Sequence, residues 1–304
     1  MDQKTNGILV VDKPAGISSA AVVGRIKRLL RAGKIGHAGT LDPFATGVLV
    51  CCLNKATRLA GFLITGNKTY EALLHLGVET DTQDATGRVI REEEKEIVFS
   101  KEEITAAFDR FKGCIAQQPP IYSALKHKGV PLYKLARAGA PVQKPARPVE
   151  IMSMNITDVQ MPLVRFEVTC SSGTYIRTLC ADIGEALGCG GHLKALRRTA
   201  CSGFALHQAI TLEDLEASAA TGLWRNGLVR MKDALKNVPV CFANGKLAEK
   251  IKKGIVLSGH DIDPEEVRRK NGLIAVVDET DTLIALLNHE ENSTTYPYYC
   301  VLIS

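Results

Sequence analysis

The chain has 304 residues, 45% of them hydrophobic and 23% charged, enough apolar material for one large domain with a packed core plus a smaller one. Its net charge of +5 is too modest to signify alone, and no apolar run approaches the roughly 20 residues that cross a bilayer as a helix. Nine cysteines without a CxxC pair or framework spacing, behind an N-terminus that lacks a basic region followed by a long apolar stretch, predict a cytoplasmic protein with reduced thiols, not a disulfide scaffold or membrane protein.

Charge is segregated along the chain. From Lys13 to Leu41 there are six basic residues (Lys13, Arg25, Lys27, Arg28, Arg31, Lys34) and no acid; from Phe111 to Pro148 there are seven (Lys112, Lys126, Lys128, Lys134, Arg137, Lys144, Arg147) and again none. The remainder holds 25 basic and 33 acidic residues, so an acidic body carries two basic surfaces, as a polyanion binder does. An ordinary solvated helix face interleaves acids with its lysines.

Residues 7–12 read as a short apolar strand, and Ser18 or Ser19 caps a helix through Arg31 in which Val22, Ile26 and Leu29 or Leu30 recur at helical spacing. Next comes Gly36-His37-Ala38-Gly39-Thr40-Leu41-Asp42-Pro43. A residue before proline is pushed into extended backbone, while Gly36, Gly39 and Gly47 allow close approach by a ligand, so this loop aims one carboxylate, Asp42. An Asp-Pro pair by itself is an ordinary turn. A strand is expected at 48–53, a short helix at 56–63 and a strand at 68–77, whose alternation points Tyr70 to the same face as Lys68. Residues 81–87 are turn material and 101–111 have helical spacing. Residues 117–148, with six prolines, two glycines and a brief helix at 132–138, form a long inserted arm of the kind that usually serves function.

Strands follow at 149–158 and 163–170, then a helix at 175–187 and the segment 193–201. Cys189-Gly190-Gly191-His192 lacks a second pair at ligand spacing, so no metal is expected. Near 237–240 the pattern changes to a compact β-rich unit, or a packed tail of the main domain, with an apolar-patterned segment at 247–252, strands at 272–277 and 282–288 flanking a polar turn, and a last strand at 298–303. Strands and helices without regular βα alternation give the fold class α+β.

Arg177 is the anomaly of the 175–187 helix, whose apolar stripe is Ile176, Leu179, Ile183 and Leu187. A cation in a first turn opposes the helix dipole, so it is either a solvent-exposed arginine or, on the buried side, one that wants an anion beside it; Asp42 is the nominee, to be held ionised by a bidentate contact. Tyr70 reads as a packed strand aromatic unless its face borders the Asp42 loop, where its ring would stack on a base and its hydroxyl exchange a proton. His37 is either an incidental loop histidine or a wedge for a stack vacated by a flipped base. Tyr122, followed by Lys126, Lys128 and Arg137, puts an aromatic and cations on a proline-stiffened arm, either an RNA clamp or a rigid linker.

These residues resemble the TruB family of bacterial tRNA pseudouridine synthases. The match runs over about residues 7–204: Gly7-Ile8-Leu9 with Asp12-Lys13-Pro14 and Gly16, the Asp42 loop, Lys68 with Tyr70, Gly77-Val78-Glu79-Thr80-Asp81, the 119–137 arm, Gly173-Thr174-Tyr175-Ile176-Arg177, and His192 through Leu196-Arg197-Arg198-Thr199. The resemblance implies a pseudouridine-synthase fold: a mixed, largely antiparallel sheet with flanking helices in a catalytic domain at 1–238, a thumb at about 112–148, and a small β-rich PUA-like RNA-binding domain at 239–304. It implies isomerisation of uridine 55 in the T loop of tRNA by base flipping, in the cytoplasm, by a monomer needing no protein partner, cofactor or metal. Carried over by position, Asp42 is the catalytic aspartate, Arg177 its ion-pair partner, Tyr70 the stacking and proton-transfer residue and His37 the wedge. Tyr175, Lys13 and Leu196 join the substrate site; Lys126, Lys128, Arg137, Tyr122, Arg197 and Arg198 bind RNA. The rival readings are a non-catalytic tRNA-binding chaperone on the same surfaces and a guide-RNA-dependent synthase.

Overall fold

The computed structural model describes residues 5–262, 272–290 and 293–303. From the N-terminus, β1 (Gly7–Lys13) leads through α1 (Ser19–Leu29) to β2 (Ile35–His37) and β3 (Thr46–Leu53); a 3-10 turn and α2 (Ala60–Ile64) precede β4 (Lys68–Leu76). A hairpin of β5 (Val78–Thr80) and β6 (Val89–Glu92) is followed by α3 (Lys101–Asp109) and β7 (Gly113–Gln117). The arm then carries two short paired strands, β8 (Lys126–His127) and β9 (Val130–Pro131), and α4 (Leu132–Arg137), before the chain returns in β10 (Arg147–Gln160). After β11 (Leu163–Cys170), α5 (Ile176–Ala186) and β12 (Gly191–Cys201) come β13 (Phe204–Ala205), β14 (Ile210–Thr211), α6 (Leu212–Ala219) and β15 (Leu228–Val229).

These strands build an eleven-stranded sheet in the order β14-β1-β3-β12-β4-β11-β10-β7, with β13, β15 and β2 paired alongside. Only β1 with β14 and β3 with β12 run parallel, so the sheet is mixed and largely antiparallel, as expected. The parallel seam between β3 and β12 matters most: it brings the end of the Asp42 loop beside Arg197 and Arg198.

Burial follows strand period. Along β4, Lys68, Tyr70, Ala72, Leu74 and Leu76 are buried while the residues between them are half-buried or exposed, the signature of a sheet covered on one face. The covering layer is α3 and α5, whose Ile104, Phe108, Leu179 and Ile183 pack with Tyr70, Leu74, Val164 and Phe166. β3 is different, being buried from Gly47 to Leu53. Its Leu49, Cys51 and Leu53 meet Val22 and Ile26 of α1 and Leu215 of α6 on one face. On the other, Val48, Val50 and Cys52 join a cluster containing Ala275, Val277, Leu283 and Leu286.

Those last residues belong to a second, four-stranded sheet. Its members are β16 (Val240–Phe242), β18 (Gly272–Val277), β19 (Leu283–His289) and β21 (Tyr298–Val301), with α7 (Gly245–Lys252) and a small pair, β17 (Leu257–Ser258) and β20 (Thr295–Tyr296), beside it. The expected hairpin is the antiparallel pair β18–β19. This C-terminal unit has its own apolar cluster around Ile251, Leu257, Val276 and Leu287, and also roofs the β1–β3 end of the large sheet. The domain limits expected at residues 1 and 304 lie outside the described residues.

Phe166 is fully buried and meets Phe108 edge-to-face at 5.1 Å, joining β11 to α3. Phe166→Ala is expected to lower unfolding free energy by about 3–5 kcal/mol, read from the urea midpoint; a loss below about 1 kcal/mol would mean this layer is not load-carrying core.

Candidate active site

The Asp42 loop is a turn fastened to the sheet from below. The Ala45 N–H donates to the Asp42 carbonyl at 3.1 Å, closing a four-residue turn with Pro43 at its second position, where the fixed proline φ suits it. Ser19, buried at the start of α1, grips the preceding residue twice: its Oγ donates to the Leu41 carbonyl at 2.9 Å and accepts from the Leu41 N–H at 2.8 Å. The Lys13 ammonium donates to the carbonyls of Pro14, Ile17 and Pro43 at 2.8, 2.8 and 3.1 Å. Arg198 reaches under the loop, its Nε donating to the Val48 carbonyl at 2.7 Å and its Nη2 to the Gly39 carbonyl at 3.0 Å.

Gly47, with φ +102°, allows this seam: a Cβ there would lie 2.2 Å from the Arg198 carbonyl oxygen.

Lys13, expected in the substrate site, and Arg198, expected to bind RNA, are 0% and 1% exposed. Their cations are enclosed because loop carbonyls, otherwise unpaired in the interior, need donors. Burial pushes the Lys13 ammonium down to about 8, against the pull of Asp42.

Above the loop stands Arg177, 4% exposed in the first turn of α5. Its Nε lies 3.0 Å from Asp42 Oδ2, the ion pair the sequence suggested. The bidentate geometry is not formed, because the other guanidinium nitrogens are taken. Nη1 donates to Asp84 Oδ2 at 3.3 Å and to the Thr82 carbonyl at 3.1 Å, and Nη2 to the Tyr122 carbonyl at 2.9 Å. One guanidinium thus joins the Asp42 loop, the 82–84 turn and the arm.

Asp84 is the site residue that sequence reasoning passed over as turn material. It is 3% exposed. Its Oδ1 accepts from Thr82 Oγ1 and the Thr86 N–H, both at 2.9 Å, and its segment bridges to Leu193 of β12. The signal was present in Asp84-Ala85-Thr86, an Asx-turn spacing, and in a buried guanidinium whose five donors one carboxylate cannot satisfy.

The Asp42 side chain keeps 37% of its exposure, so it faces out of the cradle that holds it. Burial is the largest influence on its carboxyl and raises its pKa; Arg177 and Lys13 pull it down, and the neighbouring Asp84 pushes it up. The net direction is upward, opposite to that expected from the guanidinium alone.

Tyr70 is 8% exposed and packs in the same cluster as Leu41, Ala45 and Ile176, which flank Asp42 and Arg177; Leu196 lies half-buried against that cluster. Lys68 shares the buried face with Tyr70, as alternation required. Burial pushes the Tyr70 phenol up to about 12, against the pull of Arg198, so at neutral pH it carries its proton. His37, half-buried on β2, has its Nδ1 enclosed without a hydrogen-bond partner among the described residues, and burial and Arg198 lower its pKa, which favours the neutral ring.

Tyr175 immediately precedes α5 with the Arg147 guanidinium 5.4 Å from its ring centroid. Arg197 points away from Arg198 and pairs with Asp12 at 2.7 Å, retaining 37% exposure. Lys126, Lys128 and Arg137 stand exposed on the arm, Arg137 lying 5.8 Å over the Tyr133 ring. Tyr122 is half-buried at the arm's inner end, tied to the site by its carbonyl.

A model of the TruB family pseudouridylate synthase N-terminal domain matches residues 27–176, and one of the tRNA pseudouridylate synthase B C-terminal domain matches 177–238. A tRNA pseudouridine synthase B from Burkholderia mallei is 42% identical over 94% of this chain and 94% of its own. One from Cupriavidus metallidurans is 44% identical over 90% of this chain and 86% of its own. The chain belongs to the TruB family of pseudouridylate synthases. Among solved structures, a chain in a Cbf5-Nop10-Gar1 complex superimposes with a TM-score of 0.76 at 27% identity, covering 98% of this chain and 85% of that one. A chain in an H/ACA RNP bound to a substrate RNA containing 2′-deoxyuridine gives 0.74 at 26% identity, with coverages of 98% and 85%. The pseudouridine-synthase fold and the C-terminal β unit of this TruB member therefore both have counterparts.

The opposing pulls on Asp42 make a test that needs no turnover. Asp84→Asn removes the negative charge that raises the Asp42 pKa and leaves Arg177, so carbon-13 NMR titration of the Asp42 carboxyl should give a lower pKa than in the unaltered protein. An unchanged or higher value would contradict the electrostatic coupling.

Proposed function

We propose that this chain isomerises uridine 55 in the T loop of tRNA to pseudouridine, with Asp42 as the single catalytic carboxylate. The observation that carries the reading is one half-exposed aspartate held by a buried arginine, on a loop that Lys13, Ser19 and Arg198 make rigid. The activity named for the 42–44% identical relatives fits it.

The reaction breaks the C1′–N1 bond, turns the uracil and joins C1′ to C5; the C5 hydrogen leaves as a proton and N1 takes one up. Neither oxidation nor phosphoryl transfer is required. The uridine must first leave its stack, at a cost of a few kcal/mol offset by stacking inside the site and by backbone contacts. His37 fills the place the base vacates, and its neutral ring suits insertion among bases. Tyr70 packs against the flipped base and, holding its proton, donates a hydrogen bond. Tyr175 and Leu196 line the same space.

The arm grips the phosphate backbone through Lys126, Lys128 and Arg137, with Tyr122 and Arg197 nearer the site. Residues 239–304 act as a PUA-like RNA-binding unit. The chain works as a cytoplasmic monomer on naked tRNA, without a guide RNA or protein partner.

Asp42→Asn is expected to abolish tritium release from T-arm RNA labelled at uracil C5, leaving tRNA affinity within about threefold. Equal loss of both would assign Asp42 a structural role, and an unaltered chain inactive on naked transcript would overturn the reading. Affinity should fall steeply with salt. Alanine at Lys126, Lys128 or Arg137 should each lower the slope of log Kd against log salt by about 1; an unchanged slope would remove these residues from the interface.

A further inference from the structure

The arm closes on the strands β7 and β10, where Gln117 stands in register with Arg147. Both side chains of this closing pair reach the segment that leads into α5. Gln117 is 1% exposed; its Nε2 donates to the Tyr175 carbonyl at 3.1 Å and its Oε1 accepts from the Tyr175 N–H at 2.8 Å. A side-chain amide bonded to both backbone groups of one residue fixes that residue in rotation as well as position. Arg147 donates to the Gly173 carbonyl and covers the Tyr175 ring. Gly173, at φ +88°, permits the approach: a Cβ there would lie 2.9 Å from Arg147 Nη2. Arg177 follows Tyr175 by two residues and returns to the arm through the Tyr122 carbonyl at 2.9 Å.

We propose that Gln117 is a positioning residue: by clamping Tyr175 it fixes the first turn of α5, so that the base of the arm sets where the Arg177 guanidinium meets Asp42. Arg177 uses all three guanidinium nitrogens on groups from separate segments, so a small displacement of its helix turn breaks contacts that side-chain rotation cannot restore together. The charged groups acting on Asp42 are Arg177, Asp84 and Lys13; of these, Arg177 alone is carried by the clamped segment. The inference rests on the pseudouridine-synthase reading for its kinetic consequences only.

The test uses the full chain with Gln117→Ala and Gln117→Glu. For Gln117→Ala, kcat on T-arm RNA should fall about 10–100-fold while RNA affinity stays within about threefold, because a misplaced group costs turnover more than binding. The Asp42 carboxyl, followed by carbon-13 NMR, should titrate at higher pH than in the unaltered protein, since Arg177 no longer lowers it fully. Gln117→Glu keeps an acceptor for the Tyr175 N–H but sets a second acceptor against the Tyr175 carbonyl, so its kcat should fall at least as far, with RNA affinity again within about threefold. If the alanine variant does not fold, the glutamate variant decides by the same readouts. Unaltered kcat with an unmoved Asp42 titration, or equal losses of kcat and affinity, would overturn the proposal. An unaltered chain that releases no tritium would overturn the pseudouridine reading instead, and the NMR titration would still judge the clamp.

Discussion

A buried guanidinium ties this site together. Arg177 lies in the first turn of a helix, where the dipole repels its charge, and is enclosed from solvent, where an unpaired cation is costly. It is stable there because two carboxylates and two carbonyls from three other segments meet it. The converse also holds: those segments are located by it. A buried ion pair adds little to folding stability on balance, but removing one partner leaves the other stranded, so such a pair fixes geometry more strongly than it stabilises.

The Asp42 loop shows the same logic. Lys13 and Arg198 give their charges to loop carbonyls at the price of desolvation, and the return is a backbone that cannot relax when a ligand presses on it. The Asp42 side chain stays partly open to solvent on this fixed backbone. Its carboxyl feels burial and Asp84 in one direction and Arg177 and Lys13 in the other, a balance that small movements of α5 would tip. The arm reaches that helix through Gln117, Arg147 and Tyr122, so the surface that carries the exposed cations is continuous with the support of the carboxylate.

Much of this was legible in the sequence. The alternation at β4 placed Lys68 and Tyr70 on one face because a sheet covered on one side enforces period two. The helix-dipole argument found the Asp42–Arg177 pair because an arginine in a first turn needs an anion. Sequence treats a cation as a surface group, whereas Lys13 and Arg198 each satisfy carbonyls brought together from 30 to 159 residues away or from their own turn. Asp84 was lost among polar neighbours that make any turn look solvated. Gln117 carried no local signal, since its partner lies 58 residues further on and the register of β7 with β10 decides which side chain meets it. The roofing of β3 by the C-terminal sheet was equally hidden, though the unbroken apolar run at 47–53 is what burial on both faces requires.

Arg177 acts on this site through its geometry and not its charge alone. Arg177→Lys keeps the charge but replaces a planar fork with a point donor that cannot serve all four partners. Single-turnover pseudouridine formation on T-arm RNA should then slow by about 100-fold or more, with RNA affinity within about threefold. A lysine variant that turns over at the unaltered rate would contradict it.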